Sequence, residues 1–320
     1  MNRILVIQTA FLGDVILATP VVSELHRLYP DANIDMLVKK GNESLLANNP
    51  KLNTVYIFNK KDGKLKGISA LIKTFRKNKY DLVFNLHRFG SSGIIAGFSG
   101  GKKVIGFKKN PFSFLYSEKF DHQIGDGTHE VERNLSLIVK LGAKNSVRPE
   151  LYPSETDKEK VQSYAQGKYV TMAPASVWFT KQLPKEKWTE LIEQQSDDST
   201  IYLLGAPSDK ALCDELISSA KSKRKIVNLA GELTLLQSAA LMQKAQMNFV
   251  NDSGPLHLAS SMNAPTTAFF CSTVPSFGFG PLADHSIVKE VNGLDCRPCG
   301  LHGHKECPKG HFKCGYDISL

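Results

Sequence analysis

Three observations predict an α/β chain built from two doubly wound halves. Short apolar runs of β-forming residues alternate with helical stretches over nearly all 320 residues, and the alternation restarts after a proline-containing segment near the middle. Each half also carries a strand-to-helix turn with a glycine and acidic or hydroxyl groups, LGDVILATP at 12–20 and NDSGPLHLASS at 251–261. Alternating strands and helices favour parallel sheets covered on both faces. A chain of this length exceeds what one core fills, so two domains of about 150 residues each are expected. Turns of this kind lie where such folds bind anions and carry out chemistry, and the two halves are expected to face a shared cleft.

In the first half, taken as a domain at 1–150, strands are expected at 4–8, 34–38, 55–58, 82–86 and 104–107. A first helix is read at 13–29, ending before Pro30. The stretch 64–79 places Leu65, Ile68, Ile72 and Phe75 on one helical face. Its other face carries Lys64, Lys66, Lys73, Arg76, Lys77 and Lys79, a solvated surface or one that meets anionic lipid. A last helix at 129–141 leads into a linker at 143–156 that contains Pro149 and Pro153. The second half, 157–295, repeats the pattern with strands near 169–173, 201–205, 226–229, 248–250 and 266–270. Helices are expected at 184–195, 208–221, 235–244 and 255–262. Residues 296–320 stand apart as a Cys/His-rich C-terminal segment.

Composition narrows the classes. Apolar content of 42% and charged content of 22% are those of a globular protein, and no apolar run approaches the roughly 20 residues needed to span a bilayer. The opening ILVIQTAFLGD is interrupted by Gly13 and Asp14 and reads as a core strand and not a signal peptide, which places the protein in the cytoplasm. The net charge of +9 asks for an acidic partner such as a nucleotide, a phosphorylated lipid or a membrane surface.

Asp14 follows Gly13 at the start of the first helix, at the C-terminal end of a strand. There it reads as a helix cap or as a base, held ionised at neutral pH by the helix N-terminus and able to accept a proton from a hydroxyl. Asp252, Ser253 and Gly254 end another strand and open a helix containing His257. Unpaired N–H groups, a hydroxyl and a glycine can hold a diphosphate there, and ordinary capping is the alternative. The loop APASVWFTKQLP at 173–184 offers Lys181 for a phosphate and the hydroxyls of Ser176 and Thr180.

Together these segments resemble glycosyltransferase family 9, the ADP-heptose:lipopolysaccharide heptosyltransferases. The likeness covers nearly the whole chain, through RILVIQTAFLGDVILATP, PASVWFTKQLP, LLGAPSD, NLAGELTLLQSAALM, NDSGPLHLASSMNAPTTAFF and FGFGPL in that order. The resemblance implies the two-domain GT-B fold, with the acceptor on the first domain and the nucleotide sugar on the second. It implies an inverting transfer of heptose from ADP-heptose to a lipid-linked lipopolysaccharide inner-core acceptor at the inner face of the inner membrane, with no cofactor needed for catalysis. Asp14 matches the family's catalytic base. Ser176 and Lys181 match positions near the diphosphate, Asp252, Ser253, Gly254 and His257 match the D-[ST]-G-x-x-H turn, and Asp209 matches an acidic residue contacting the nucleotide. The loop departs from the family in having Ala175 where glycine is frequent and Gln182-Leu183 where Arg-Trp is frequent. Two other functions fit parts of the chain: a nucleotide-sugar epimerase of the same fold, and a basic zinc-containing nucleic-acid-binding protein. The second leaves the first 290 residues without a purpose.

The C-terminal segment carries Cys296, Cys299, Cys307 and Cys314, interleaved with His302, His304 and His311. A CxxC start with two later cysteines has the ligand count of a structural zinc site; free thiols, a disulfide or an iron–sulfur role are the alternatives. Cys213 and Cys271 read as small buried hydrophobes.

Overall fold

The computed structural model describes residues 1–59, 63–221 and 224–320. The chain divides into two compact units, one of Met1–Ile124 with Thr128–Tyr152 and one of Gly125–Gly127 with Pro153–Leu320. Lys64, read as part of a basic helix face, has a side chain outside the described residues.

In the first unit six strands form one sheet: β1 (Arg3–Gln8), β2 (Asn33–Lys39), β3 (Thr54–Phe58), β4 (Leu82–Asn85), β5 (Lys103–Phe107) and β6 (Glu118–Phe120). Their order is β3-β2-β1-β4-β5-β6 and every pairing is parallel. Strand β1 is buried from Ile4 to Gln8, as a central strand covered on both faces must be. The helices are α1 (Leu12–Ile16), α2 (Thr19–Leu28), α3 (Lys64–Asn78), α4 (Gly90–Phe98) and α5 (Glu130–Ser136). The single helix expected at 13–29 is two. Pro20 lies in the first turn of α2, where its missing N–H is harmless, and the Thr19 hydroxyl donates to the Ile16 carbonyl at 2.8 Å across the break.

Helix α4 and strand β6 escaped the sequence reading. The sequence of α4, GSSGIIAGF, has poor helix propensity, and packing explains its glycines. A Cβ on Gly93 would lie 2.0 Å from the Asn110 side-chain oxygen, and one on Gly97 would lie 2.5 Å from Leu115. Close approach to the 108–115 loop therefore outweighs propensity.

The second unit holds β7 (Tyr169–Ala173), β8 (Thr200–Leu203), β9 (Ile226–Asn228), β10 (Met247–Asn251), β11 (Thr266–Phe270) and β12 (Ser286–Glu290). They too are parallel, in the order β12-β11-β10-β7-β8-β9. Counted from the first strand of each unit, both sheets have the order 3-2-1-4-5-6 of doubly wound dinucleotide-binding folds. The helices are α6 (Glu155–Val161), α7 (Lys185–Glu193), α8 (Lys210–Ser219), α9 (Leu235–Lys244), α10 (Gly254–Ser261) and α11 (Lys313–Tyr316). Helix α6 begins inside the expected linker, with Ser154 as its cap accepting from the Asp157 N–H at 3.1 Å.

Residues 296–320 pack into the second unit. Phe312, Cys314 and Ile318 join Trp188, Leu191, Phe269 and Cys271 in its core. Arg297 fixes the start of the segment through the carbonyls of Cys271, Val291, Phe270 and Thr273 and the Glu290 carboxylate. Among the described residues no helix is long and apolar enough to cross a membrane.

Candidate functional sites at the first and fourth strands of each unit

In the first unit the loop leaving β1 is held from both sides. The Asn42 amide, beyond β2, donates to the Ala10 carbonyl at 3.1 Å, and the Thr9 hydroxyl meets His87 Nδ1, beyond β4, at 2.8 Å. Asp14 stands in the first turn of α1, where Oδ2 accepts the Phe11 N–H at 3.2 Å. It thus does make a capping contact, one of its two readings.

Its ionisation departs from expectation. Burial pushes the Asp14 carboxyl up to about 7, the Glu130 carboxylate adds to the rise, and the Phe11 N–H and Arg88 oppose it. Although the side chain keeps part of its surface open, the protein around it displaces most of the water that would solvate the charge. Helix α1 is a single turn, too short for its dipole to outweigh that loss. Asp14 is therefore close to half ionised near pH 7 instead of fully so.

Glu130, which the sequence reading did not select, opens α5 and is itself buried. Burial alone would raise its carboxyl, but His122 Nε2 at 3.1 Å and Arg133 Nε at 2.8 Å hold it below its ordinary range. Helix α5 is tied to the end of α1, where the Asn134 amide donates to the Leu17 carbonyl at 3.3 Å. A fixed negative charge thus stands behind Asp14. The only sequence signal for it was a glutamate in the HEVER run at a helix start.

In the second unit the loop after β7 and the turn after β10 meet. Lys181 Nζ pairs with Asp252 Oδ2 at 2.7 Å, both side chains being largely buried, and the Thr273 hydroxyl donates to the same oxygen at 2.6 Å. Asn251, fully buried at the end of β10, accepts the Leu183 N–H at 2.9 Å and donates to the Pro174 carbonyl at 2.9 Å. It closes the Lys181 loop from within. Helix α10 starts at Gly254 with no side-chain cap, since the Ser253 hydroxyl turns back towards the Asn251 carbonyl at 3.4 Å. His257 is buried on α10, edge-on to Phe279 at 6.4 Å between ring centroids. Lys181, Asp252, Ser253, Gly254 and His257 thus share one sheet edge, with uncapped helix N–H groups among them.

Of the other three expected donor contacts, Thr180 and Asp209 have their side chains engaged elsewhere. The Thr180 hydroxyl is buried and accepts the His304 N–H at 2.7 Å, so it braces the loop instead of facing a ligand. Asp209 accepts the Ala206 N–H at 2.8 Å and the Ser208 hydroxyl at 3.1 Å before α8, reaching back to the start of its turn as the third residue of a capping box does. Ser176 is half-buried, and its carbonyl accepts the Gln182 amide at 2.7 Å.

The C-terminal segment supports this loop. Gly303, at φ +78°, lies so close that a Cβ there would be 3.0 Å from both Lys181 Cγ and the Thr180 hydroxyl. The Cys299 N–H donates to the Ser272 carbonyl at 2.8 Å, and the rings of Phe312 and Phe179 stack with centroids 5.3 Å apart. The zinc site expected from Cys296, Cys299, Cys307 and Cys314 is not formed: among the described residues no three His, Cys, Asp or Glu side chains are arranged to hold a metal. Cys314 is drawn into the hydrophobic core, where burial pushes its thiol up to about 11, with Cys307 and Cys296 adding to the rise. The Cys296 sulfur lies 3.9 Å from His311 Nε2.

Comparison with known proteins bears on both units. The profile described as glycosyltransferase family 9 (heptosyltransferase) matches residues 68–311. Lipopolysaccharide heptosyltransferase 3 of Escherichia coli (strain K12) is 30% identical over 82% of this chain and 80% of its own. Among solved structures, a family 9 glycosyl transferase from Veillonella parvula superimposes with a TM-score of 0.81 at 21% identity, over 90% of this chain and 85% of that one. ADP-heptose lps heptosyltransferase II of E. coli does so with a TM-score of 0.78 at 23% identity, over 93% and 96%.

Proposed function

The chain belongs to glycosyltransferase family 9, the heptosyltransferases, and from that premise we propose that it transfers heptose from ADP-heptose to a hydroxyl of a lipopolysaccharide inner-core acceptor, with inversion at the anomeric carbon. The observation that supports this reading most is the meeting of Lys181, Asp252 and the uncapped start of α10 on one sheet edge. A diphosphate needs cationic and N–H donors that are already positioned, and this edge supplies both.

In the proposed reaction the acceptor oxygen forms a bond to the anomeric carbon as the bond from that carbon to the diphosphate oxygen breaks. The departing electron pair stays on the diphosphate, and the acceptor proton passes to Asp14. Lys181 keeps two ammonium protons beyond the one given to Asp252, and these stabilise the charge growing on the leaving group. Ser253, the Gly254 N–H and His257 adjoin the diphosphate and sugar. Protein donors carry this charge, so the proposed step needs no divalent metal. A base whose pKa lies near the working pH is matched to its task, being ionised often enough yet still a good proton acceptor. The first unit binds the acceptor and the second the nucleotide sugar, at the cytoplasmic face of the inner membrane.

The test is thermal stabilisation by ADP, UDP, GDP and CMP forms of nucleotides and sugars, followed by transfer assays with the donor that binds. Selective stabilisation by ADP forms and transfer to core acceptor are expected. A selective UDP or GDP response contradicts the proposed donor, and donor turnover without acceptor points to an epimerase.

A further inference from the structure

We propose that Cys296 is a thiol-modification site, seated in an open cavity of the C-terminal segment and matched to a low-molecular-weight disulfide that carries carboxylates. The proposed reaction makes no use of this cavity, so the site is independent of that reading.

The cavity has a volume of about 360 Å³, and Cys296, His311, Lys309, Lys313 and Asp295 are among the residues that line it. Of the six cysteines, Cys213, Cys271 and Cys314 are buried, and burial pushes all three thiols up, Cys213 to about 12 and Cys314 to about 11. The Cys299 thiol is raised as well, by burial and by Cys307 and Cys296 beside it. Thiols so raised are slow to attack, because the thiolate is the nucleophile. Cys307 packs against the core of the second unit. Cys296, in contrast, is half-buried and lines open space.

The turn that carries it is fixed, since the Arg297 N–H donates to the Leu294 carbonyl at 2.9 Å and its guanidinium is tied to the carbonyls after β11. His311 Nε2 lies 3.9 Å from the Cys296 sulfur, and Nδ1 of the same ring accepts the Lys313 N–H at 3.1 Å. With Nδ1 held as an acceptor, the proton of the neutral ring sits on Nε2 and faces the sulfur. A donor at that place stabilises negative charge on the sulfur. Charge also selects the ligand. Lys309 and Lys313 make no ion pair among the described residues, and Asp295 is the acid that lines the cavity with them. A disulfide bearing carboxylates supplies the counter-charge.

In the proposed step the Cys296 sulfur bonds to one sulfur of the small disulfide as that disulfide's own bond breaks. The electron pair departs on the second sulfur, which takes up one proton for the one that Cys296 gives up. The products are a mixed disulfide and a free thiol, and the small disulfide is the oxidant.

The test incubates the full chain with oxidised glutathione, which is anionic, or cystamine, which is cationic, and locates the adducts by peptide mass spectrometry. Cys299→Ser is the background, since it keeps the N–H bonded to Ser272 and removes the thiol of the same CxxC that could displace the adduct. The first adduct is expected on Cys296. With each rate divided by that of the unfolded chain, oxidised glutathione should react about tenfold faster than cystamine at low salt, an advantage that high salt removes. Lys309→Gln with Lys313→Gln should remove the same advantage, while His311→Ala should slow both reagents alike. A first adduct on any other cysteine, equal rates for the two reagents, or reaction only after a chelator has freed the thiols from a metal would overturn the proposal. The readout is mass alone, so failure of the proposed function appears separately, as absence of ADP-sugar binding.

Discussion

Each unit places its candidate chemistry on the loops after its first and fourth strands, yet the two are built for different tasks. In the first unit those loops are joined through the contact of Thr9 with His87, and Asp14 is left half-buried with Glu130 behind it. In the second the loops are joined by the Lys181–Asp252 pair and by Asn251, and braced from outside by Gly303 and His304. The first arrangement sets a proton affinity through desolvation and a like charge. The second fixes donor geometry through cross-links that need no rearrangement when charge develops. Where the strand order reverses, one fold thus supplies a carboxyl of raised proton affinity in one unit and a fixed cluster of cationic and N–H donors in the other, the two elements that the proposed reaction requires.

The largest way to break this comparison is to remove a cross-link in the second unit. Lys181→Ala should lower kcat/KM by about 10²–10³ and weaken ADP-sugar binding as well, since a preorganised donor to the leaving group is lost. It also leaves Asp252, among the described residues, with the Thr273 hydroxyl as its side-chain partner, and a chemical melt should show a loss of about 3 kcal/mol or more. Normal donor affinity in this variant would remove Lys181 from the donor site.

The first unit predicts the opposite sign for stability. A carboxyl whose folded pKa is raised from 3.8 to about 7 contributes stability that is full below pH 3.8 and lost as pH rises through 7. Asp14→Asn should therefore be more stable than wild type at pH 8, by up to about 4 kcal/mol less what solvent at the half-open side chain screens, and near equal to it at pH 4. Denaturant melts at the two pH values check this; a variant less stable than wild type at pH 8 contradicts it.

A smaller effect tests the brace. Gly303→Ala must place a Cβ against Lys181 and Thr180 at positive φ, and should lose about 1–3 kcal/mol of stability while raising the KM for donor more than it lowers kcat. Glu130→Gln should act on the pH dependence, moving the acid limb of the kcat/KM profile to lower pH as the like charge beside Asp14 is removed. An unmoved limb would separate Glu130 from Asp14.

Much of the fold was legible because buried parallel strands announce themselves as apolar runs. Strands β1, β7 and β11 fall where those runs placed them, and the recurrence of the pattern is the pair of sheets observed. Helix α4 was hidden because its glycines serve contacts with Asn110 and Leu115, which are distant in sequence. Strand β12 is an outer strand with no buried residue, so it lacks the apolar signal. At the sites, spacing identified Lys181 and Asp252 separately but not their pairing, which depends on β7 and β10 lying side by side. Thr180 has the right residue type in the right loop, and only the packing of residues 303–304 shows its hydroxyl to be occupied. The protein packed around its partly open side chain, with Glu130 among it, decides the ionisation of Asp14, and a one-turn helix start could not reveal it.

The most direct test of Asp14 as the base is a comparison of Asp14→Asn with wild type at pH 8, with transfer from ADP-heptose and donor affinity measured on the same preparation. The account predicts transfer lowered by at least about 10² with donor affinity within a few-fold, as loss of a general base requires. Transfer near the wild-type rate with intact donor binding would contradict it and move the base elsewhere on the edge of the first sheet.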